Sequence, residues 1–114
     1  MDAMDSPVWR LHGLVASEPG WMAFDNGTVV LMLEDDEGSA VEAFAVPVSE
    51  IKDVKYPRAQ MSAGCNFVVD GEKYKISFLQ PQNTRMPGPY GAVQGAASIP
   101  AGRKSGKAWK AILT

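Results

Sequence analysis

Cysteine and histidine are almost absent from this chain of 114 residues, which contains one of each, Cys65 and His12. A single cysteine excludes an internal disulfide framework and is typical of a reducing compartment. The pair is too small a set for a structural zinc site, and no spacing places a nucleophile or a carboxylate partner beside His12. We therefore expect no catalytic residues, no metal and no cofactor, with His12 on the sheet surface and Cys65 buried in phase with Phe67 and Val69.

Long hydrophobic runs are also missing, since no apolar segment approaches the ~20 residues that a membrane span requires. The first seven residues, Met1 to Pro7, are acidic and lack the apolar stretch of a secretory signal. A hydrophobic fraction of 46% with 21% charged residues is ordinary globular composition. These features predict a single cytoplasmic domain over residues 1–114.

Each half of the chain is poor in charge of one sign. Residues 1–50 contain ten acidic groups and one basic group, whereas residues 51–114 contain three acidic and ten basic groups. The halves carry −9 and +7, which sum to the net charge of −2. One interpretation is that the two halves neutralise each other across the sheet. The other is that the basic half offers a face to an anionic partner, or associates with the acidic half of another copy.

Short apolar alternations separated by turn residues predict seven strands, over residues 8–15, 21–24, 28–33, 41–46, 48–56, 65–69 and 73–79. Asn26-Gly27 and Asp70-Gly71 are strong hairpin signals. Ser17 to Gly20 is predicted as a turn, and Glu34 to Gly38 as a solvated charged turn. Residues 48–56 also fit a helical turn by periodicity, but their β-branched side chains favour a strand.

The only helical period lies at residues 103–114, where Trp109, Ile112 and Leu113 fall on one stripe. The order of elements predicts a mainly β fold: a seven-stranded antiparallel, partly open barrel closed at one end by a C-terminal α-helix. Trp9 and the apolar stripe of the helix are expected to be structural. Residues 80–102, with four prolines, are predicted to be a long irregular loop before the helix.

The segments W-M-A-F-D-N-G-T-V-V-L (21–31) and V-P-V-S-E-I-K-D-V-K-Y-P (46–57), together with Trp109 in the final helix, resemble the pleckstrin-homology-like superfamily and its bacterial and GRAM-type members. The resemblance implies that Trp109 packs into the barrel. It also implies that a phosphoinositide ligand would need basic residues around the first hairpin loop. The predicted loop there, Ser17 to Gly20, contains Glu18, so we do not expect inositol phosphate at that place.

These features favour a binding or assembly module that recognises a protein, a peptide or a second copy of the chain. The alternative is peripheral contact with an anionic membrane through a basic face. The residues predicted for that face are Lys52, Lys55, Arg58, Lys73, Lys75, Arg103, Lys104, Lys107 and Lys110.

In the long loop, Met86 and Tyr90 are candidate partner contacts, unless the loop packs back onto the barrel or is mobile. Nucleic acid is not expected, because the aromatic residues lie mostly at apolar strand positions.

Overall fold

The computed structural model describes residues 4–12, 16–57, 63–81, 84–88 and 99–113. The strands are β1 (Met4–His12), β2 (Ala16–Asp25), β3 (Thr28–Glu34), β4 (Ala40–Pro47), β5 (Lys52–Lys55), β6 (Gly64–Val69) and β7 (Glu72–Ser77), and the helix is α1 (Ile99–Leu113).

All seven strands are antiparallel and form one sheet in the order β4-β3-β2-β1-β7-β6-β5. Within the described residues, no hydrogen-bonded ladder joins the two edge strands, β4 and β5. The predicted fold class, a partly open barrel with one C-terminal helix, is confirmed.

Three aromatic rings bridge the gap that the hydrogen bonds leave open. The Phe44 ring of β4 meets Phe67 of β6 and Tyr74 of β7 edge-on, with centroids 5.9 Å and 5.2 Å apart. Phe67 and Tyr74 stack on each other with their centroids 5.7 Å apart. Such pairs contribute beyond the apolar area that they bury. Edge strand β4 therefore meets β6 and β7 through side-chain packing.

Helix α1 packs Trp109 into the barrel, where the side chain is fully buried and its Nε1–H donates to Ser6 Oγ at 3.1 Å. Ile112 and Leu113 are partly buried against the same core, as the stripe predicted. The helix begins at Ile99, four residues earlier than predicted. Pro100 is tolerated because the N–H groups of a first helical turn have no intrahelical acceptor.

The turn predicted at Ser17 to Gly20 is wrong, because these residues belong to β2. Glu18 and Pro19 pair with β1, and the pairing of β2 with β3 begins only at Gly20. Pro19 thus pairs with β1 only. A proline is tolerated there, because its nitrogen has no N–H to donate to a second strand. A Cβ at Gly20 would collide with the carbonyl oxygen of Met32. Glycine at this position therefore allows the backbones of β2 and β3 to approach closely.

The strand predicted over residues 48–56 is also only partly right. Val48–Glu50 forms a 3-10 turn, and β5 is restricted to Lys52–Lys55. Lys52 pairs with Val68 and Lys55 pairs with Asn66, so β5 has one more residue between the two pairs than β6 has. This extra residue makes a β-bulge in β5. Asp53 occupies this bulge with a φ of 53°. As a result, Lys52 and Lys55 point to the same side of the sheet.

Replacement of Trp109 with alanine should lower the unfolding free energy by about 3–5 kcal/mol, because it removes a large buried side chain and its hydrogen bond. Thermal denaturation followed by circular dichroism measures the effect. Lys104→Glu/Lys107→Glu is the matched control on the exposed face of the same helix, and it should leave the midpoint within a few degrees. A control variant that unfolds as readily as Trp109→Ala would contradict this orientation of the helix.

Candidate functional site

Four lysines share one face of the three-stranded part of the sheet. The register places Lys55 beside Asn66 and Asn66 beside Lys75 in one row, with Lys52, Val68 and Lys73 forming the neighbouring row. Strands lie ~4.8 Å apart and residues of one face recur every ~7 Å along a strand. The Cα atoms of the four lysines therefore lie at the corners of a patch of about 10 by 7 Å. We call Lys52, Lys55, Lys73 and Lys75 the lysine face.

The lysine face borders a cleft of about 650 Å³, which we call the basic cleft. Lys55, Lys73 and Lys75 line it together with Arg10 and His12 of β1, and Asp53 is the one carboxylate among its described lining residues. Asn66, Val68 and Tyr74 also line it.

Arg10 is held at the side of the basic cleft by a compact set of contacts. Its guanidinium lies 4.2 Å above the centre of the Tyr74 ring and donates to Glu72 Oε1 at 3.2 Å and to the carbonyl oxygen of Lys73 at 3.0 Å. The Tyr74 hydroxyl donates to the other oxygen of Glu72 at 3.1 Å. The hydrogen bond from Arg10, followed by that from Tyr74, lowers the pKa of Glu72 below its ordinary value. Arg10 is therefore neutralised within the fold.

The lysines differ from Arg10 in this respect. In the described part of the chain, none of the four lysines of the lysine face takes part in an ion pair. All four are exposed. The basic cleft therefore contains three lysine charges that the described part of the fold does not neutralise.

His12 lies on the surface, as expected, with 44% of its side chain exposed, and its Nε2 contacts a carboxylate oxygen of Glu18. No local pattern indicates this partner, because the composition of Ser17 to Gly20 predicts a turn instead of a strand paired with β1. Cys65 is fully buried, and burial raises the pKa of its thiol to about 12. It therefore stays protonated at neutral pH and serves as a small core residue.

A second cleft, of about 670 Å³, is lined by Glu18, Glu34, Asp35 and Asp36, with Arg85 as its cation. The adjoining turn between β3 and β4 is well organised. Asp35 Oδ1 accepts hydrogen bonds from the backbone N–H groups of Glu37 and Ser39, both at 2.9 Å. Asp35, Asp36 and Glu37 are exposed. We call these three residues the acidic turn.

Glu34, predicted as part of the solvated turn, is instead buried, with 5% of its surface exposed. It forms an ion pair with Arg85 and accepts a hydrogen bond from the N–H of Gly88 at 2.8 Å. The carbonyl oxygen of Arg85 accepts the Nε1–H of Trp9 at 3.1 Å. Residues 84–88 thus pack back onto the barrel over Trp9, which is fully buried on the side opposite Val8 and the main core.

The residues of the predicted basic face separate into two groups. The four strand lysines form the lysine face, whereas Arg103, Lys104 and Lys107 are exposed on α1 and line neither cleft. Lys110 lies over the Tyr56 ring, with Nζ 5.2 Å from its centre.

Other predicted site residues lie elsewhere. Arg58 and Tyr90 are outside the described residues, and Met86 is half-buried rather than an exposed anchor. Arg10, His12 and Asn66 also line the basic cleft, but no sequence pattern predicts this, since only the strand register brings them to the lysines.

Comparison of the chain with protein-family models and with curated proteins finds no match. Among the described residues, no helix is long and apolar enough to cross a bilayer, and no group of three or more potential metal ligands comes together.

Titration of Glu72 by carboxyl-detected NMR should give a pKa below its ordinary value, and Arg10→Gln should raise that pKa. Because the pKa is lowered in the folded state, the contribution of Glu72 to stability is present above its unfolded pKa. The contribution is lost as pH falls through the folded pKa. Lys75→Gln removes a nearby charge without removing these hydrogen bonds and is the control. An unchanged Glu72 pKa in Arg10→Gln would contradict the assigned cause.

Replacement of Arg85 with methionine should release residues 84–88, because it leaves Glu34 buried without its cation. Hydrogen exchange of the Gly88 amide should accelerate by about ten-fold or more if this segment opens locally. Lys107→Met removes one charge at a distant exposed site and serves as the control. Unchanged exchange at Gly88 in Arg85→Met would show that the ion pair does not hold the segment.

Proposed function

We propose that this chain is a non-enzymatic binding module of the pleckstrin-homology-like superfamily, acts in the cytoplasm, and recognises an acidic segment of a protein through the basic cleft. The observation that carries the proposal is the convergence of Lys55, Lys73 and Lys75 on one concave surface without ion-pair partners in the described chain. The order of the strands and the burial of Trp109 support the choice of superfamily.

The chemistry of the basic cleft suits carboxylate side chains. A lysine ammonium is a compact charge with three donors on a flexible stem, so it can follow carboxylates at variable spacing. Val68 and the lysine stems offer apolar surface between the charges. A cleft of about 650 Å³ accepts a few side chains of a peptide. Acidic peptide binding would therefore combine charge attraction with limited apolar contact.

Peripheral binding to an anionic membrane is a second candidate, because the four lysines of the lysine face lie on the same side of the sheet. A polybasic patch gains ~1 kcal/mol per lysine near an anionic bilayer. A planar bilayer, however, would also approach the exposed carboxylate of Asp70, at the turn between β6 and β7. A peptide that enters the cleft can avoid this carboxylate. The arrangement of charges thus supports a peptide more than a membrane.

Fluorescence anisotropy with a fluorescein-labelled hexaglutamate peptide tests the proposal. The wild-type protein should bind the peptide at about 50 mM NaCl and more weakly at about 300 mM, since salt screens exposed charges. Lys73→Glu/Lys75→Glu should weaken binding by about ten-fold or more, because it reverses two charges of the cleft. Arg103→Glu/Lys107→Glu has the same net charge and should bind within about two-fold of wild type if the cleft is the site.

Two outcomes would overturn the peptide proposal. Equal losses in the cleft and helix variants would show that only net charge matters. If the protein co-sediments with vesicles of phosphatidylserine and phosphatidylcholine but does not bind the peptide, the ligand of the basic cleft is an anionic membrane and not a peptide. Vesicles of phosphatidylcholine alone are the control for charge.

A further inference from the structure

The acidic turn and the basic cleft lie at the same end of the barrel. The register aligns Leu33, Gly20 and Val8 across three neighbouring strands. Beyond this row, β3 leads into the acidic turn while β1 leads toward Arg10 and His12 at the basic cleft. Because β7 runs antiparallel to β1, its first residues lie at this end as well. One end of the molecule thus presents a negative and a positive site side by side.

We propose that the acidic segment recognised by the basic cleft is the acidic turn of a second copy of this chain. The inference rests on the proposed function and names its partner. Asp36 and Glu37 are exposed, and the bonds that Asp35 accepts from the turn backbone hold them in a fixed loop. The carbonyl oxygen of Asp35 is also anchored by Arg85 at 3.0 Å. An ordered turn loses little conformational entropy on binding, which favours association.

Because the acidic turn and the basic cleft lie at the same end of the barrel, their location determines the symmetry of the assembly. When two copies meet end to end, the acidic turn of each can reach the basic cleft of the other. Both contacts then form at once, and the assembly closes as a two-fold dimer instead of extending as a chain. Glu18 lines the second cleft together with Asp35 and Asp36 and adds to the negative charge of the acidic turn. The dimer should therefore be weakened by salt.

Sedimentation velocity with charge reversals tests this inference. The wild type should be dimeric at about 50 mM NaCl and monomeric at about 500 mM, where screening is much stronger. Asp36→Lys/Glu37→Lys reverses the turn, and Lys73→Glu/Lys75→Glu reverses the cleft. Each variant alone should dimerise at least about ten-fold more weakly, since like charges then face each other in both contacts.

Recombination of the variants makes the test specific. In an equimolar mixture, the turn of each variant is complementary to the cleft of the other, so a one-to-one heterodimer should form. The variant with all four reversals should again form a homodimer. Asp25→Lys/Lys107→Glu is the control. It changes one acid and one base outside both sites, and it should dimerise like the wild type.

The outcomes separate this inference from the proposed function. A monomeric wild type at low salt, or a mixture that stays monomeric while circular dichroism shows both variants folded, would overturn the dimer. If hexaglutamate still binds the wild-type cleft in that case, the proposed function stands without self-association. If the wild type neither dimerises nor binds hexaglutamate, both proposals fall.

Discussion

The contact of Phe44 with Phe67 and Tyr74 is the interaction on which the rest of this structure depends. The sheet does not close through hydrogen bonds in its described part, and the Phe44 ring of edge strand β4 instead packs against rings of β6 and β7 on the far side of the barrel. These three rings supply a side-chain closure, and Trp109 fills the interior from the helix. Without these aromatic contacts the chain would be a curled sheet with an exposed apolar face.

The same closure also positions the basic cleft. Tyr74 faces Phe44 and Phe67 in the core, while its ring carries the Arg10 guanidinium and its hydroxyl binds Glu72. Burial, followed by the bond to Glu72, raises the pKa of Tyr74, so the hydroxyl remains a donor at neutral pH. The lysines on β7 alternate with Tyr74 and Ile76 and therefore point outward. The direction of the lysines is a consequence of how the core is packed.

Alternating and helical patterns were sufficient to predict seven strands, the final helix and the burial of Trp109, because these features depend on local periodicity. Ser17 to Gly20 and Glu34 were misassigned because their composition is typical of exposed turns. The pairing of β2 with β1 and the ion pair with Arg85 override that local preference. The basic cleft depends on the register of strands distant in sequence and on the bulge at Asp53, which no local pattern indicates.

Within its described part, the fold pairs only a few of the charges that separate the acidic first half of the chain from the basic second half. Among the described residues, two ion pairs join the two halves of the chain, Arg10 with Glu72 and Arg85 with Glu34, and both use arginine. Arginine suits such internal contacts, because its planar guanidinium donates several hydrogen bonds in fixed directions and stacks on aromatic rings. The lysine face has no such partners among the described residues. In the part of the chain that the structure describes, Arg85 with Glu34 is the one ion pair between a base of the basic half and an acid of the acidic half, and the lysine charge remains available to a partner outside the fold.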